Sequence, residues 1–156
     1  MCYADDTSIM VCGKKQDLHL VITRLESALS SAYNWFCHNG MKVNTQKTQM
    51  IVMGTQAMLR GLPPVSLKFC GNIIHDSRVV KSLGIVIDRH LSYQLHIDSV
   101  SKKCTGILMA LNHARHVIPP SALKLVVESL AMSIVRYCIS VYGSCGVTQV
   151  HRVQKF

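Results

Sequence analysis

Two adjacent carboxylates near the N-terminus have the clearest potential for chemistry. Asp5 and Asp6 follow Tyr3 and Ala4 as Tyr-Ala-Asp-Asp, between two short apolar or β-branched runs. This pattern predicts a strand, a tight acidic turn and a returning strand over residues 7–12. Carboxylates on a turn hold hard divalent cations well, and such cations neutralise phosphates and activate a hydroxyl in nucleotidyl transfer. A turn is needed because adjacent side chains on a straight strand point to opposite faces.

The four-residue motif is weak evidence when it is taken alone. Asp is frequent in tight turns because its side chain hydrogen-bonds the nearby backbone, and by itself this favours reading Asp5 and Asp6 as ordinary turn acids. An unrelated Mg²⁺-dependent phosphatase would also account for the pair, although it would explain none of the later motifs.

The spacing of apolar residues predicts an α+β fold whose first half is an antiparallel sheet with a long helix packed against it. Residues 17–38 carry apolar side chains at helical period, and Asn39-Gly40 is typical of a helix C-terminus. A turn is predicted at Asn44-Thr45-Gln46, a hairpin turn at Gly71-Asn72, and a loop at 55–64. Strand patterns lie at 41–43, 48–53, 65–70, 73–74 and 79–88.

The second half of the chain is predicted to be helical. Helical period returns at residue 92 and continues until Pro119-Pro120. A further helix carries apolar residues over 121–141, and residues 150–156 have the pattern of the first turn of another helix.

Composition narrows the class of protein. The 156 residues include 17 Lys or Arg against 8 Asp or Glu, a net charge of +9 that favours a polyanionic partner such as nucleic acid. The 7 cysteines lack any C-x-x-C pair, so neither a zinc knuckle nor a disulfide-linked partner is expected. Glu128 and Arg136 interrupt the most apolar stretch, and the acidic N-terminus is unlike a secretory signal. These features predict an intracellular protein without a membrane partner, and they leave nucleus and cytoplasm undistinguished.

Several motifs in a fixed order resemble the reverse transcriptases of non-LTR (LINE-type) retrotransposons. After the Tyr-Ala-Asp-Asp turn, that family has a long helix ending in a tryptophan, then a glycine, an asparagine and a Lys-Thr pair. The residues here that match are Trp35, Gly40, Asn44, Lys47 and Thr48. The eight residues from Lys81 to Asp88 resemble the strand pair with which the family grips the primer, and residues 151–154 resemble the start of a later thumb helix. Ser82 and Tyr93 stand where the family commonly has an aromatic residue and a tryptophan.

The resemblance implies an RNA-directed DNA polymerase that transfers nucleotides with two Mg²⁺ ions. It assigns Asp5 as a direct metal ligand, Asp6 as a supporting ligand, and Lys47 to the region near the leaving pyrophosphate. Leu83 and Gly84 would approach the primer strand through their backbone, since glycine allows close contact. A solvated lysine accounts for Lys47 equally well, and a β-bulge accounts for Gly84 almost as well.

The resemblance also divides the chain at residue 88. Residues 1–88 would form part of the polymerase palm and residues 89–156 a helical thumb, with an RNA template and a DNA primer as partners of the full-length protein. Six cations, called the basic set below, would follow the phosphates, although a solvated helix face explains them about as well. They are Lys81, Arg89, Lys102, Lys103, Arg115 and Lys124.

Two parts of such a polymerase are expected to precede the Tyr-Ala-Asp-Asp turn and are not in this sequence. They are the fingers and the palm strand that supplies a third carboxylate. Since two-metal catalysis uses several carboxylates, weak or absent Mg²⁺ binding and no polymerase activity are expected of this chain alone. The alternatives are a nucleic-acid-binding remnant and a retroelement relic with no selected role.

Overall fold

The fold is α+β, as the apolar spacing predicted. The structure is a computed structural model that describes residues 2–3 and 6–143, with side chains described from residue 6 onward. The chain divides into two compact units, Met1–Arg78 and Val79–Phe156. Across the described residues, none of the helices combines the length and the hydropathy that a bilayer span requires.

The first unit opens with a short strand pair. β1 (Cys2–Tyr3) and β2 (Asp6–Thr7) are antiparallel, with Tyr3 opposite Asp6. Both predicted strands are present, but the returning strand over residues 7–12 was wrong beyond Thr7, since residues 8–14 have no regular secondary structure. A strand needs a neighbour to satisfy its backbone hydrogen bonds, and β1 is only 2 residues long.

The long helix predicted from apolar periodicity is confirmed. A 3-10 turn at Lys15–Asp17 leads into α1 (Leu18–His38). The N–H of Asn39 donates to the Trp35 carbonyl at 3.1 Å, and Gly40 follows with a φ of +70°. The helix therefore ends where Asn39-Gly40 predicted, because glycine adopts this left-handed conformation without steric cost.

The segment after α1 contains less strand than its sequence predicted. Of the strands predicted at 41–43 and 48–53, the described structure retains a single parallel bridge between Met50 and Asp76. Valines of both segments still pack against the core of this unit. The apolar side chains of these segments therefore pack inward, as their pattern predicted. Among the described residues, however, no neighbouring strand continues the bridge into a ladder of backbone hydrogen bonds.

The loop predicted at 55–64 contains a turn of helix. α2 (Gln56–Leu59) begins after Thr55, whose Oγ1 accepts the Met58 N–H at 3.3 Å. Threonine is a favoured N-cap because its side chain satisfies a backbone donor that the first turn leaves unpaired. The prolines at 63 and 64 dominate the sequence pattern of this segment and favour a loop, so the pattern did not predict the helical turn that Thr55 caps.

A hairpin and α1 form the core of the first unit. β3 (Ser66–Phe69) and β4 (Asn72–His75) pair as predicted, although the turn is Cys70-Gly71, one residue earlier than expected. Both turn residues have positive φ, 48° and 78°, as a two-residue hairpin turn of this kind requires. The buried side chains of this core are Met50, Val65, Leu67, Phe69 and Ile74, with apolar residues of α1 packed against them.

The second unit begins with another hairpin. β5 (Val79–Ser82) pairs with β6 (Ile85–Asp88) around Leu83-Gly84. Apolar alternation predicted one strand over 79–88, which was wrong, whereas the strand pair implied by the family resemblance is present. The sequence boundary between the two compact units falls after Arg78, so this hairpin lies in the second unit. The family resemblance instead placed the boundary between palm and thumb after residue 88.

Helices make up the rest of the second unit. α3 (Gln94–Ala114) confirms the helix predicted from residue 92. The single helix predicted over 121–141 is interrupted: α4 (Pro120–Val126) continues as a π-helical stretch (Val127–Met132) and then α5 (Ser133–Arg136) and α6 (Ile139–Tyr142). The helix predicted at 150–156 lies outside the described residues.

The helices of the second unit share a small buried core. Val100 and Cys104 of α3 pack with Val135 of α5. The Cys104 thiol donates to the Ala131 carbonyl at 3.6 Å, and burial raises the pKa of this thiol. Apolar contact and a weak sulfur hydrogen bond therefore both help to hold α3 to the later helices.

Candidate nucleic-acid interface

The strands on either side of the Tyr-Ala-Asp-Asp turn pair with each other, and Asp6 is the aspartate of this motif that the structure describes. Asp6 lies on β2 opposite Tyr3 rather than in the turn, and its side chain is exposed. Asp5, the predicted direct metal ligand, lies outside the described residues. Within the described ranges, no group of three or more His, Cys, Asp or Glu residues is placed to hold a metal ion.

Lys47 lies in a turn that Asn44 organises. The Asn44 Oδ1 accepts the N–H groups of Gln46 and Lys47 at 3.1 Å and 3.3 Å, and its carbonyl accepts the Thr48 hydroxyl at 3.1 Å. Such side-chain bonding to the following backbone is why asparagine favours turns, so this part of the motif has a structural cause. The Lys47 side chain is exposed, and no hydrogen bond or ion pair joins it to Asp6 in the described part of the chain.

A cavity of about 540 Å³ opens at the C-terminal end of α1. It lies between this helix end, the loop that follows it and the β3–β4 turn. Its lining residues are Tyr33, Cys37, Gly40, Met41, Lys42, Val43, Thr45 and Cys70. The thiol of Cys37 and, less strongly, that of Cys70 raise the pKa of the Tyr33 phenol. Cys37 and Cys70 are far apart in the sequence, so only the fold brings both to one cavity.

The Leu83-Gly84 turn is exposed and carries a contact that the sequence did not predict. Leu83 and Gly84 have φ of 45° and 82°, and Ser82 lies opposite Ile85 in regular register, so the β-bulge alternative for Gly84 is wrong. The Tyr137 hydroxyl donates to the Leu83 carbonyl at 2.7 Å. These two residues are 54 positions apart, and nothing in the local pattern around Tyr137 points to the turn.

The end of β6 is organised around Asp88, to which the sequence analysis gave no role. Its carboxylate accepts the N–H groups of His90, Ser92 and Tyr93 at 2.9 Å, 3.2 Å and 2.8 Å, and the Ser92 hydroxyl at 3.0 Å. Partial burial works against ionisation, but these hydrogen bonds outweigh it and hold the pKa of Asp88 below its ordinary value. The carboxylate thereby fixes the path from β6 into α3.

His96 is a core residue and not part of the cationic surface. It is 5% exposed, and its ring packs edge-on against Tyr142 with ring centroids 4.9 Å apart. Its Nδ1 accepts the Val86 N–H at 3.5 Å, whereas its Nε2 is buried and has no hydrogen-bond partner among the described residues. Burial, and next the charge of Lys103, lower the pKa of His96, so the neutral imidazole is the form that fits this core.

The basic set lies entirely in the second unit. Lys81 is on β5, Lys102 and Lys103 are on α3, Arg115 ends α3 and Lys124 is on α4, and all five of these side chains are exposed. Arg89 is half-buried. The second unit therefore presents exposed cations on a strand and on helices, as a surface that contacts phosphates does.

Fold and exposed charge define an α+β protein with a cationic helical unit. The chain is similar to the protein described as RNA-directed DNA polymerase from mobile element jockey of Drosophila melanogaster, with 22% identity over 157 residues. The alignment covers 97% of this chain and 16% of that polymerase. No family model matches the chain, and no solved structure does. The similarity supports the relationship to non-LTR reverse transcriptases that the motifs predicted.

Proposed function

We propose that this chain is the part of a non-LTR reverse transcriptase that contains the end of the palm and the beginning of the thumb. In that role it binds the hybrid of RNA template and DNA primer during nucleotidyl transfer. The observation that carries the proposal is the similarity to the jockey polymerase along 97% of this chain. The strand pair around Tyr-Ala-Asp-Asp and the β5–β6 hairpin agree with it, since the resemblance implied both.

The first unit would carry the metal-binding residues of the complete polymerase. Carboxylate oxygens are ligands that Mg²⁺ prefers, and the Asp6 side chain is exposed on the strand that follows the turn. Asp5 would be the direct ligand and Asp6 the supporting one. Bound Mg²⁺ would neutralise the triphosphate and activate the attacking hydroxyl. Lys47 would bring its exposed ammonium to the leaving pyrophosphate. Because a third carboxylate is needed from elsewhere, the isolated chain should bind Mg²⁺ weakly or not at all and should not extend primers.

The second unit would hold the hybrid through the basic set. Lys102 and Lys103 on α3, Arg115 at the C-cap of α3 and Lys124 on α4 are exposed and would contact phosphates, whereas the half-buried Arg89 should contribute least. Each phosphate that a cation neutralises releases counterions and steepens the fall of log K with log salt by about 0.9 on duplex DNA. Binding should therefore be strongly salt-dependent and largely independent of sequence.

Binding of a labelled RNA–DNA hybrid tests this proposal. Fluorescence anisotropy at several salt concentrations should show affinity that falls steeply with salt. The double variant Lys102→Glu/Lys103→Glu should weaken binding about tenfold or more and reduce the salt slope by about 1 to 2. Arg24→Glu/Arg60→Glu is the matched control, since it makes the same change of charge at exposed cations of the first unit. Absence of salt-dependent binding, or an equal loss in the control, would overturn the role of the basic set.

A role in binding without catalysis is the second candidate, favoured by the same exposed cations because it requires no carboxylate site. Sequencing the transcript upstream of the Met1 codon separates the two. An open frame that continues through a fingers region and a strand with a further aspartate would support a polymerase. Stop codons at that place would leave binding alone. Primer extension by the purified chain that Asp5→Asn abolishes would contradict the expectation that the chain alone is inactive.

A further inference from the structure

The Leu83-Gly84 turn is held by a tyrosine that lies between α5 and α6 of the second unit. The Tyr137 hydroxyl donates to the Leu83 carbonyl at 2.7 Å, the usual length of a good O–H···O hydrogen bond. The tyrosine ring also lies beside Gly84, since a Cβ built there would be 3.3 Å from the Tyr137 Cε1 atom. Leu83 has a φ of 45°, which is unfavourable for a residue other than glycine, so the hydrogen bond stabilises a conformation that Leu83 would not prefer alone.

Tyr137 reaches the turn from a break in the helices. α5 ends at Arg136, its C-cap Tyr137 has a ψ of 115°, and Cys138 follows with a φ of 52°. A π-helical stretch, a feature frequent at functional sites, precedes α5. The Tyr137 side chain is 52% exposed, so burial of apolar surface does not account for its position. The contacts of Tyr137 with Leu83 and Gly84 are specific and favour this position.

The hydrogen bond also sets the direction of a neighbouring donor. In a trans peptide, the carbonyl of Leu83 and the N–H of Gly84 point in opposite directions. Because Tyr137 holds the carbonyl on one side of this peptide, the Gly84 N–H is directed to the other side, and Gly84 is exposed. A backbone N–H held in this way can donate to a phosphate oxygen, as many protein contacts with nucleic-acid backbones do.

We propose that Tyr137 is a positioning residue that fixes the Leu83–Gly84 peptide so that the Gly84 N–H can bind a phosphate of the primer strand near its 3′ end. This inference rests on the proposed function. Tyr137 acts through the peptide and does not itself touch nucleic acid. It links the helical segment to the β5–β6 turn, so the orientation of the turn depends on how α5 ends.

Two variants of the purified chain test this proposal. Tyr137→Phe removes the hydroxyl and keeps the ring. Tyr142→Phe is the matched control, since the Tyr142 hydroxyl donates to the Val135 carbonyl in the same helical segment and not to the turn. NMR shifts of the Leu83 Cα and Cβ report its φ. Affinity is measured for an RNA–DNA hybrid with a recessed DNA 3′ end and for a blunt hybrid of the same sequence.

The expected result is a selective effect of Tyr137→Phe. The Leu83 shifts should move toward averaged values, and affinity for the recessed hybrid should fall about fivefold, the loss expected for one hydrogen bond, with affinity for the blunt hybrid unchanged. Tyr142→Phe should leave the Leu83 shifts and the preference between hybrids as in wild type.

Two results would overturn the positioning role. One is a Tyr137→Phe variant with unchanged Leu83 shifts and unchanged preference. The other is a parallel loss of affinity for both hybrids that Tyr142→Phe reproduces, which indicates a general loss of stability. If the wild-type chain binds neither hybrid, the proposed function is wrong, and so is the assignment of a primer phosphate to the Gly84 N–H. In that case, Leu83 shifts that change in Tyr137→Phe and not in Tyr142→Phe would still show that Tyr137 fixes the conformation of the turn.

Discussion

The backbone N–H of Lys68 on β3 donates to the Glu26 carboxylate of α1 at 2.8 Å. Lys68 lies on the strand that pairs with β4 on its other side, so this N–H belongs to the outer edge of the hairpin. An unpaired strand edge exposes backbone donors and acceptors to other chains, and covering it with a neighbouring element is one way to prevent such pairing. Glu26 therefore joins the long helix to the hairpin by a polar contact, in addition to the apolar core between them.

Removal of the Glu26 carboxylate should weaken the first unit. Glu26→Ala leaves the Lys68 N–H without its charged acceptor, and we expect a loss of about 1 to 2 kcal/mol in the free energy of unfolding. Glu26→Gln keeps an acceptor oxygen and should cost less. Urea unfolding measures both, with Glu128→Ala in the second unit as control. A Glu26→Ala variant as stable as wild type would show that the contact contributes nothing.

A methyl group at Gly84 should cost more than one at Gly71. Both glycines are the second residue of a two-residue hairpin turn, with φ of 82° and 78°, so alanine meets the same backbone penalty, about 1 kcal/mol. At Gly84 the new Cβ would lie 3.3 Å from the Tyr137 ring, whereas at Gly71 the described residues other than its chain neighbours place no heavy atom within 4 Å of the new Cβ. The larger loss of unfolding free energy should therefore belong to Gly84→Ala. Equal losses for the two variants would contradict a close contact between Tyr137 and the turn.

His96 should make the second unit less stable in mild acid. Its pKa is lowered in the folded chain, so the unfolded chain binds the proton more readily. The stability that neutral His96 contributes is therefore fully present above the unfolded pKa of about 6.5, and it is lost as the pH falls from there toward the lower folded pKa. Urea unfolding at pH 7.5 and 5.5 should show a smaller difference for His96→Phe than for wild type. The exposed His113, replaced by Gln, is the control and should keep the wild-type difference.

Asp88 should produce a second loss of stability at lower pH. Its folded pKa is lowered, so its contribution is present above the unfolded pKa of about 3.9 and is lost as the pH falls through the folded pKa. Asp88→Ala removes the acceptor of three backbone N–H groups and should cost about 2 kcal/mol at neutral pH. Acid titration followed by circular dichroism should lack the corresponding step in this variant. Asp17→Ala, at an exposed carboxylate, should unfold as wild type does; an identical acid step in Asp88→Ala would refute the assignment.

Local patterns were enough to predict the parts of the fold that depend on near neighbours. The helix α1 follows from apolar residues three and four positions apart, and its end follows from the conformational freedom of Asn39-Gly40. The β3–β4 hairpin follows from two strand patterns around a glycine turn. The order of the motifs predicted a relationship to retrotransposon polymerases that the similarity to the jockey polymerase supports.

Only the tertiary structure decided the features that depend on distant partners. A strand exists only where another strand satisfies its backbone, so the apolar segments 41–43 and 48–53 became a loop with one bridge at Met50. The contact between Tyr137 and Leu83 joins residues 54 positions apart, and the burial of His96 depends on where Tyr142 packs. The amino-acid sequence by itself determined the helix, the turns, the cationic character and the motif order, because these arise within a few residues or from composition. Strand partners and buried polar contacts form between distant segments, so the packed chain alone determines them.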